Sequence, residues 1–218
     1  MKPLRILVAD DHDLMRRGVK TLLESHAGWE VCGEAKTGRE ALDRAEELKP
    51  DIIILDISMP DLNGVEAARR IRKTSPNTEI LILSLHYSDQ LIREIVDAGV
   101  RGYIVKSDSD RDLIIAVETL AKHKPFFTAL ATEIMLNNFN SGAPGKGVPD
   151  LASKRLTTRE REIVQLLAEG KSSKEVASSL EISVKTAETH RANIMRKLDL
   201  HSVSELVRYA VRNQFIEP

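Results

Sequence analysis

A chain of 218 residues, 42% hydrophobic and 30% charged, has the composition of folded globular protein and room for two modest domains. No apolar run approaches the roughly eighteen residues that cross a bilayer, and the single cysteine, Cys32, excludes an internal disulfide or a cysteine-based zinc cluster. The formal net charge of −1 hides an asymmetry: residues 151–218 hold 12 Lys+Arg against 9 Asp+Glu (+3), leaving 20 against 24 (−4) for residues 1–150. The basic part is therefore the candidate for an anionic partner.

The opening stretch MKPLRILVADDHD turns acidic after one short apolar run, unlike a secretory signal, so the expected location is cytoplasmic, with no membrane partner. From there to residue 122, short β-rich runs alternate with amphipathic ones. Strand-like segments are Leu4–Ala9, Glu30–Ala35, Asp51–Leu55, Glu79–Leu83 and Gly102–Val105. Three of them contain continuous apolar runs (ILVA, IIIL, ILIL), as expected of strands covered on both faces of a parallel sheet. Helical periodicity runs through Leu14–His26, Gly38–Leu48, Gly64–Thr74, Ser88–Ala98 and Asp110–Lys122. Five strand–helix repeats predict a doubly wound α/β fold whose strand C-termini share one edge, where ligand sites of such sheets form.

That edge gathers chemistry. Asp10 and Asp11 follow the first strand, Asp56 ends the third, Ser84 the fourth and Lys106 the fifth. Three converging carboxylates repel one another unless a cation sits among them, and oxygen ligands with retained waters suit Mg²⁺. Lys106 can pair with a phosphoryl group on Asp56, and the Ser84 hydroxyl can meet a phosphoryl oxygen. Taken singly, each residue has a plainer reading: a turn-forming aspartate, a solvated lysine, a loop hydroxyl. Tyr103 alone would be a half-buried strand aromatic, and Met59-Pro60 with Gly64 a tight turn into a helix. The regular placement at strand ends carries the functional reading.

Past the fifth repeat, Phe127–Phe139 has the pattern of one more helix, and Ser141–Asp150 (SGAPGKGVPD) reads as a flexible linker. The boundaries expected are 1–123, 124–155 for the helix and linker, and 156–218. In the last segment, Thr157 and Thr158 are helix N-cap types before an Ile163, Leu166, Leu167 stripe that Gly170 ends. Ser172 or Ser173 opens a second helix carrying Val176, Ala177 and Leu180. After the short turn Glu181–Ser183, a third helix turns Ala187, Ile194 and Leu198 inward. Two short helices so joined form a helix-turn-helix. The third helix presents Lys185, Thr186, Thr189 and His190 in its N-terminal half, then Arg191, Arg196 and Lys197, which suits insertion into the major groove of double-stranded DNA. Lys171 and Lys174 are placed to neutralise phosphates, although such charges are more often simply solvated. A fourth helix, Val203–Arg212, offers Val203, Leu206, Val207 and Ala210 either to a second copy or to its own core.

The motifs DDH (Asp10–His12), D-x-x-M-P-x-x-x-G (Asp56–Gly64), Ser84 and G-Y-I-V-K (Gly102–Lys106) resemble, in order and spacing across residues 4–122, the flavodoxin-like receiver domains of two-component response regulators. The segment with L-T-x-R-E, G-x-S-x-K-E-V-A and V-K-T-x-x-T-H-R-x-x-I-x-x-K-L is similar to the LuxR-type helix-turn-helix of the NarL/FixJ family. The resemblance implies that Asp56 takes a phosphoryl group from the phosphohistidine of a sensor histidine kinase. It also implies that Asp11, Asp56 and the Ser58 backbone carbonyl bind Mg²⁺ while Asp10 acts largely through water. Lys106 and Ser84 would stabilise the phosphoryl group, and Ser84 and Tyr103 would switch together. In the reader, the resemblance makes Lys185, Thr186 and Thr189 base-facing and His190, Arg191 and Lys197 backbone contacts. Ser58 and His86 occupy positions that tune hydrolysis, implying a phosphoryl lifetime of minutes or longer. A phosphorylated or DNA-bound homodimer is expected.

Two other functions compete. An aspartyl-phosphate phosphatase typically needs a second acid two residues after the nucleophile, where this chain has Ser58, so turnover as an enzyme is disfavoured. A DNA-binding protein with a vestigial receiver is opposed by the intact acidic set.

Overall fold

Continuously apolar runs take the middle of the sheet. In the computed structural model every residue of β3 (Ile52–Asp56) and β4 (Glu79–Ser84) is buried, and β1 (Leu4–Ala9) is buried from Ile6 onward. With β2 (Trp29–Ala35), β5 (Gly102–Val105) and the two-residue β6 (Phe126–Phe127) they form one sheet of order β2-β1-β3-β4-β5-β6, and every pairing is parallel. The structure describes residues 2–85, 88–107, 110–129, 131–133, 156–213 and 215–216, and falls into two units, Met1–Gly142 and Ala143–Pro218.

The sheet holds one strand more than the five expected. Phe127, placed by periodicity at the start of a helix, pairs instead with Tyr103, its neighbour Phe126 pairs with Gly102, and the Phe126 N–H donates to the Arg101 carbonyl at 2.8 Å. An aromatic pair suits a half-covered edge as well as a helix, and an open β5 edge with unpaired backbone groups decides for the strand. Of the rest of that expected helix, residues 129 and 131–133 are helical, while 130, 134–139 and the expected linker 141–150 lie outside the described residues.

Helices α1 (Asp13–Glu24) and α5 (Asp110–Ala121) cover one face; α2 (Gly38–Leu48), α3 (Gly64–Thr74) and α4 (Asp89–Asp97) cover the other. The two layers of core alternate along each strand: Ile52 and Ile54 face α1 and α5, while Ile53 and Leu55 face the opposite layer. Each fully buried Ile or Leu contributes about 1.5–3 kcal/mol. A one-residue register slip would exchange both faces, so the strand ends are held in fixed register.

The second unit contains α6 (Thr158–Ala168), α7 (Ser173–Ser179), α8 (Val184–Leu198) and α9 (Val203–Arg212). Thr157 with Glu160 and Ser172 with Glu175 close capping boxes, while Ser183 and Ser202 cap α8 and α9. Gly170 ends the first of these helices at φ +88, and Glu181 turns the chain between α7 and α8 at φ +55. Ile163, Val176, Ala187, Ile194, Leu206 and Ala210 share its core. Leu206 and Ala210 are thus spent on their own domain; of the four residues considered for a second copy, Val203 is exposed and Val207 half-buried. Among the described residues no helix is long and apolar enough to cross a membrane.

Candidate functional site

Parallel pairing brings the expected residues to one edge. Leu55 stands opposite Ala9 on one side and Ile82 on the other, Asp56 opposite Leu83, and Ser84 opposite Val105. Asp10, Asp56 and Ser84 are buried, and the Lys106 side chain is 3% exposed. The Lys106 ammonium lies 2.9 Å from Asp10 Oδ2 and 2.9 Å from Asp56 Oδ2. Its backbone N–H donates to the Ser84 carbonyl at 2.7 Å, fixing where the long side chain starts. Asp11, one-third exposed, closes the cluster on the solvent side.

The loop after Asp56 keeps the carboxylate in place. Asp56 Oδ1 accepts from the Ile57 N–H at 2.8 Å, and the Gly64 N–H donates to the Ile57 carbonyl at 2.8 Å. A Cβ on Gly64 would stand 2.0 Å from the Asp56 carbonyl oxygen, so this position admits only glycine without moving the Asp56 backbone. Met59 and Leu62 are buried and anchor the loop, with Ser58 half-buried between Ile57 and Met59. His86 lies outside the described residues.

Charge sets the pocket's chemistry. Burial raises the Asp56 carboxyl to about 6; the Lys106 ammonium pulls it down, and Asp10 and then Asp11 push it up again. Burial pulls the Lys106 ammonium down, but Asp56 and Asp10 outweigh it and the net direction is up. Three carboxylates thus face one ammonium in a water-poor space. Such an oxygen-rich, net-anionic set fits a hard divalent ion, so the residues present suit the Mg²⁺ of receiver domains.

Two residues to which sequence reasoning gave no role support this edge. Arg16, 5% exposed, donates from Nη1 to the Asp10 carbonyl at 2.9 Å, from Nε to Glu34 at 3.1 Å, and from Nη2 to Asp13. Its signal was legible: Arg16, Val19 and Leu23 share the inward stripe of α1, where a charge needs partners. His12 turns its ring onto the acid pair, with Nδ1 2.9 Å from Asp11 Oδ1. Tyr103 is fully buried among Ile82, Leu91 and Ile95, not half-buried as an isolated strand aromatic would be.

In the second unit, Lys185, Thr186 and Thr189 are exposed on α8, His190 and Arg191 are half-buried beside them, and Lys174 is exposed on α7. Positions 185, 186, 189 and 190 share one helix face. Thr189 Oγ1 donates to the Lys185 carbonyl at 2.8 Å, and the Ser183 and Thr186 hydroxyls meet at 2.8 Å. Lys197 is employed inside the domain: its ammonium lies 2.7 Å from Glu160, the residue that closes the α6 capping box. Arg191 walls a cavity of about 200 Å³ with Leu167, Lys171 and Leu206.

The comparisons with known proteins cover both units. The family profile described as response regulator receiver domain matches residues 6–118, and that of bacterial regulatory proteins, luxR family, matches 154–210. The response regulator protein VraR of Staphylococcus saprophyticus subsp. saprophyticus is 34% identical over 99% of this chain and 100% of its own. A solved LuxR-family two-component response regulator from Aurantimonas sp. SI85-9A1 is 29% identical, with a TM-score of 0.60 over 63% of this chain and 99% of that one. RcsB from Salmonella enterica serovar Typhimurium, solved bound to a promoter with the phosphomimetic BeF3−, shares the fold: 24% identity, a TM-score of 0.64, and 94% and 97% of the two chains covered.

Proposed function

Because the chain belongs to the two-component response regulators that join a receiver domain to a LuxR-type DNA-binding domain, we propose that phosphorylation of Asp56 controls its sequence-specific DNA binding. The observation that carries this reading is the Lys106 ammonium held 2.9 Å from both Asp10 and Asp56 in a buried pocket. The donor is the phosphohistidine of a sensor kinase. As the bond from the Asp56 oxygen to phosphorus forms, the phosphorus–nitrogen bond breaks and its electron pair stays on the departing imidazole. Lys106 offsets charge on the transferring oxygens, and the Ser84 hydroxyl takes one of them as a hydrogen-bond acceptor. Asp11, Asp56 and the Ser58 carbonyl would hold Mg²⁺, with Asp10 acting through water. When bound, the ion supplies charge stabilisation for phosphoryl transfer. The receiver assists its own phosphorylation and dephosphorylation and has no separate substrate.

The change reaches the reader by population shift. Contact between Ser84 and the phosphoryl group favours one arrangement of Tyr103 and α4 over another, and a ligand with differential affinity moves that balance. In the reader, Lys185, Thr186 and Thr189 meet base edges in the major groove, while His190, Arg191 and Lys174 meet backbone phosphates; Lys197 does so only by releasing Glu160. A homodimer matches two half-sites, the cell compartment is the cytoplasm, and the domains run 1–123 and 156–218 with 124–155 between them, its β6 extending the receiver's sheet.

Selection of DNA from a random pool with and without acetyl phosphate and Mg²⁺, using Asp56→Ala as control, tests the whole reading. The expected result is one enriched motif whose affinity rises on phosphorylation in the wild type alone. Enrichment indifferent to acetyl phosphate would leave a reader with a vestigial receiver, and no enriched motif would remove the reader.

A further inference from the structure

His12 is the N-cap of α1, yet its side chain makes no capping bond. The ring is turned back instead, with Nδ1 2.9 Å from Asp11 Oδ1 and 3.4 Å from Asp10 Oδ1, while its backbone N–H donates to Asp10 Oδ1 at 2.8 Å. One donor atom from each of Asp10, Asp11, His12 and Asp56 lies within 4.8 Å of the others. Around an ion with ligands at about 2.1 Å, opposite donors stand about 4.2 Å apart and adjacent ones about 3 Å. Bringing the four donors to such distances requires only small side-chain shifts. The His12 side chain is 51% exposed at the mouth of the pocket, so it can make its part of that shift without disturbing the core.

We propose that His12 is a nitrogen ligand of this pocket and makes it a site for divalent first-row transition ions of the cobalt, nickel and zinc class as well as for Mg²⁺. The proposal rests on reading the pocket as a metal site. Carboxylate, carbonyl and water oxygens suit Mg²⁺, which gains little from an imidazole. Ions toward the end of the first row bind imidazole strongly, and their affinity for a mixed nitrogen–oxygen set exceeds that of the hard ions. The identity of the residue after the acid pair thereby sets which ion the switch accepts.

Co²⁺ and Mg²⁺ serve as probes, on the full chain. Co²⁺ binding is followed by visible absorption and Mg²⁺ binding by titration calorimetry, in wild type, His12→Ala and Asp11→Asn. Because the His12 side chain makes no capping bond, its removal leaves the start of α1 intact. In His12→Ala, Co²⁺ affinity should fall at least roughly tenfold, the loss seen even for groups that only orient a ligand, and the Co²⁺ absorption bands should shift. Mg²⁺ affinity should stay within about twofold. Equal changes for both ions would mean that the ring acts only as a charge beside Asp11, and an unchanged Co²⁺ spectrum would mean that it is no ligand; either overturns the proposal. If Asp11→Asn loses both ions while His12→Ala changes neither, the pocket reading stands and His12 falls. A wild type that binds neither ion overturns both.

Discussion

The two functional regions are built in opposite ways. The receiver draws its groups from positions 10 to 106 and buries Asp10, Asp56, Ser84 and the Lys106 side chain at the ends of four strands, whereas the reader carries most of its set on the single fifteen-residue helix α8 and leaves Lys185, Thr186 and Thr189 exposed. In the first, strand register makes the site and low dielectric gives it force. In the second, helix phase alone aligns Lys185, Thr186 and Thr189. A buried, assembled site therefore fails through geometry and electrostatics together, while an exposed, local one fails one contact at a time.

The sharpest way to break this contrast is Lys106→Met. Removing the ammonium placed between Asp10 and Asp56 should slow phosphorylation by acetyl phosphate by roughly a hundredfold, the usual loss of one preorganised charge, with phosphate incorporation read by mass spectrometry. Next in size is a stability effect of opposite sign. Folding raises the Asp56 carboxyl from 3.8 to about 6, so the folded protein retains a proton that the unfolded chain has released. The resulting penalty is absent below about pH 4, grows through pH 6 and is constant above it. Asp56→Asn should therefore stabilise the metal-free protein at pH 8 by on the order of 2–3 kcal/mol, with the gain vanishing near pH 4. Equal denaturation midpoints at pH 8 would contradict this account of the pocket.

Arg16→Met probes support from outside the pocket. It releases the Asp10 carbonyl and should weaken Mg²⁺ binding about tenfold in calorimetry, with the maximum phosphorylation level recovered at saturating metal. In the reader, Lys185→Ala should cost about tenfold in affinity for the selected DNA, near the low end for one base-reading side chain, without changing the denaturation midpoint. If it also destabilised the domain, the description of α8 as a local, exposed reader would need revision. The smallest effect belongs to Ser172→Ala, which opens the α7 capping box and should cost about 1 kcal/mol of reader stability in urea unfolding.

Much of this was legible before any coordinates. Continuous apolar runs marked the buried strands, and the pairs Thr157–Thr158 and Ser172–Ser173, with Ser183, marked helix starts because a cap needs only its own next three residues; the structure picks Thr157 and Ser172. The shared acidic edge was legible because parallel crossovers put all strand ends on one side whatever the loops do. Arg16 was legible in kind but not in partner: a charge on an inward stripe predicts a buried pairing, and Glu34 and the Asp10 carbonyl had to be seen.

By itself, then, the sequence determined the element types of the five strand–helix repeats and the four reader helices, the shared edge of Asp10, Asp56, Ser84 and Lys106, and the phase of α8, since each follows from local periodicity or a topological rule. Tertiary structure alone decided that Phe126 and Phe127 join the sheet, that Lys197 is taken by Glu160, and that His12 folds onto Asp11. Those outcomes depend on which open edge or unpaired charge lies within a few ångströms in the folded chain. Sequence spacing carries no measure of that distance.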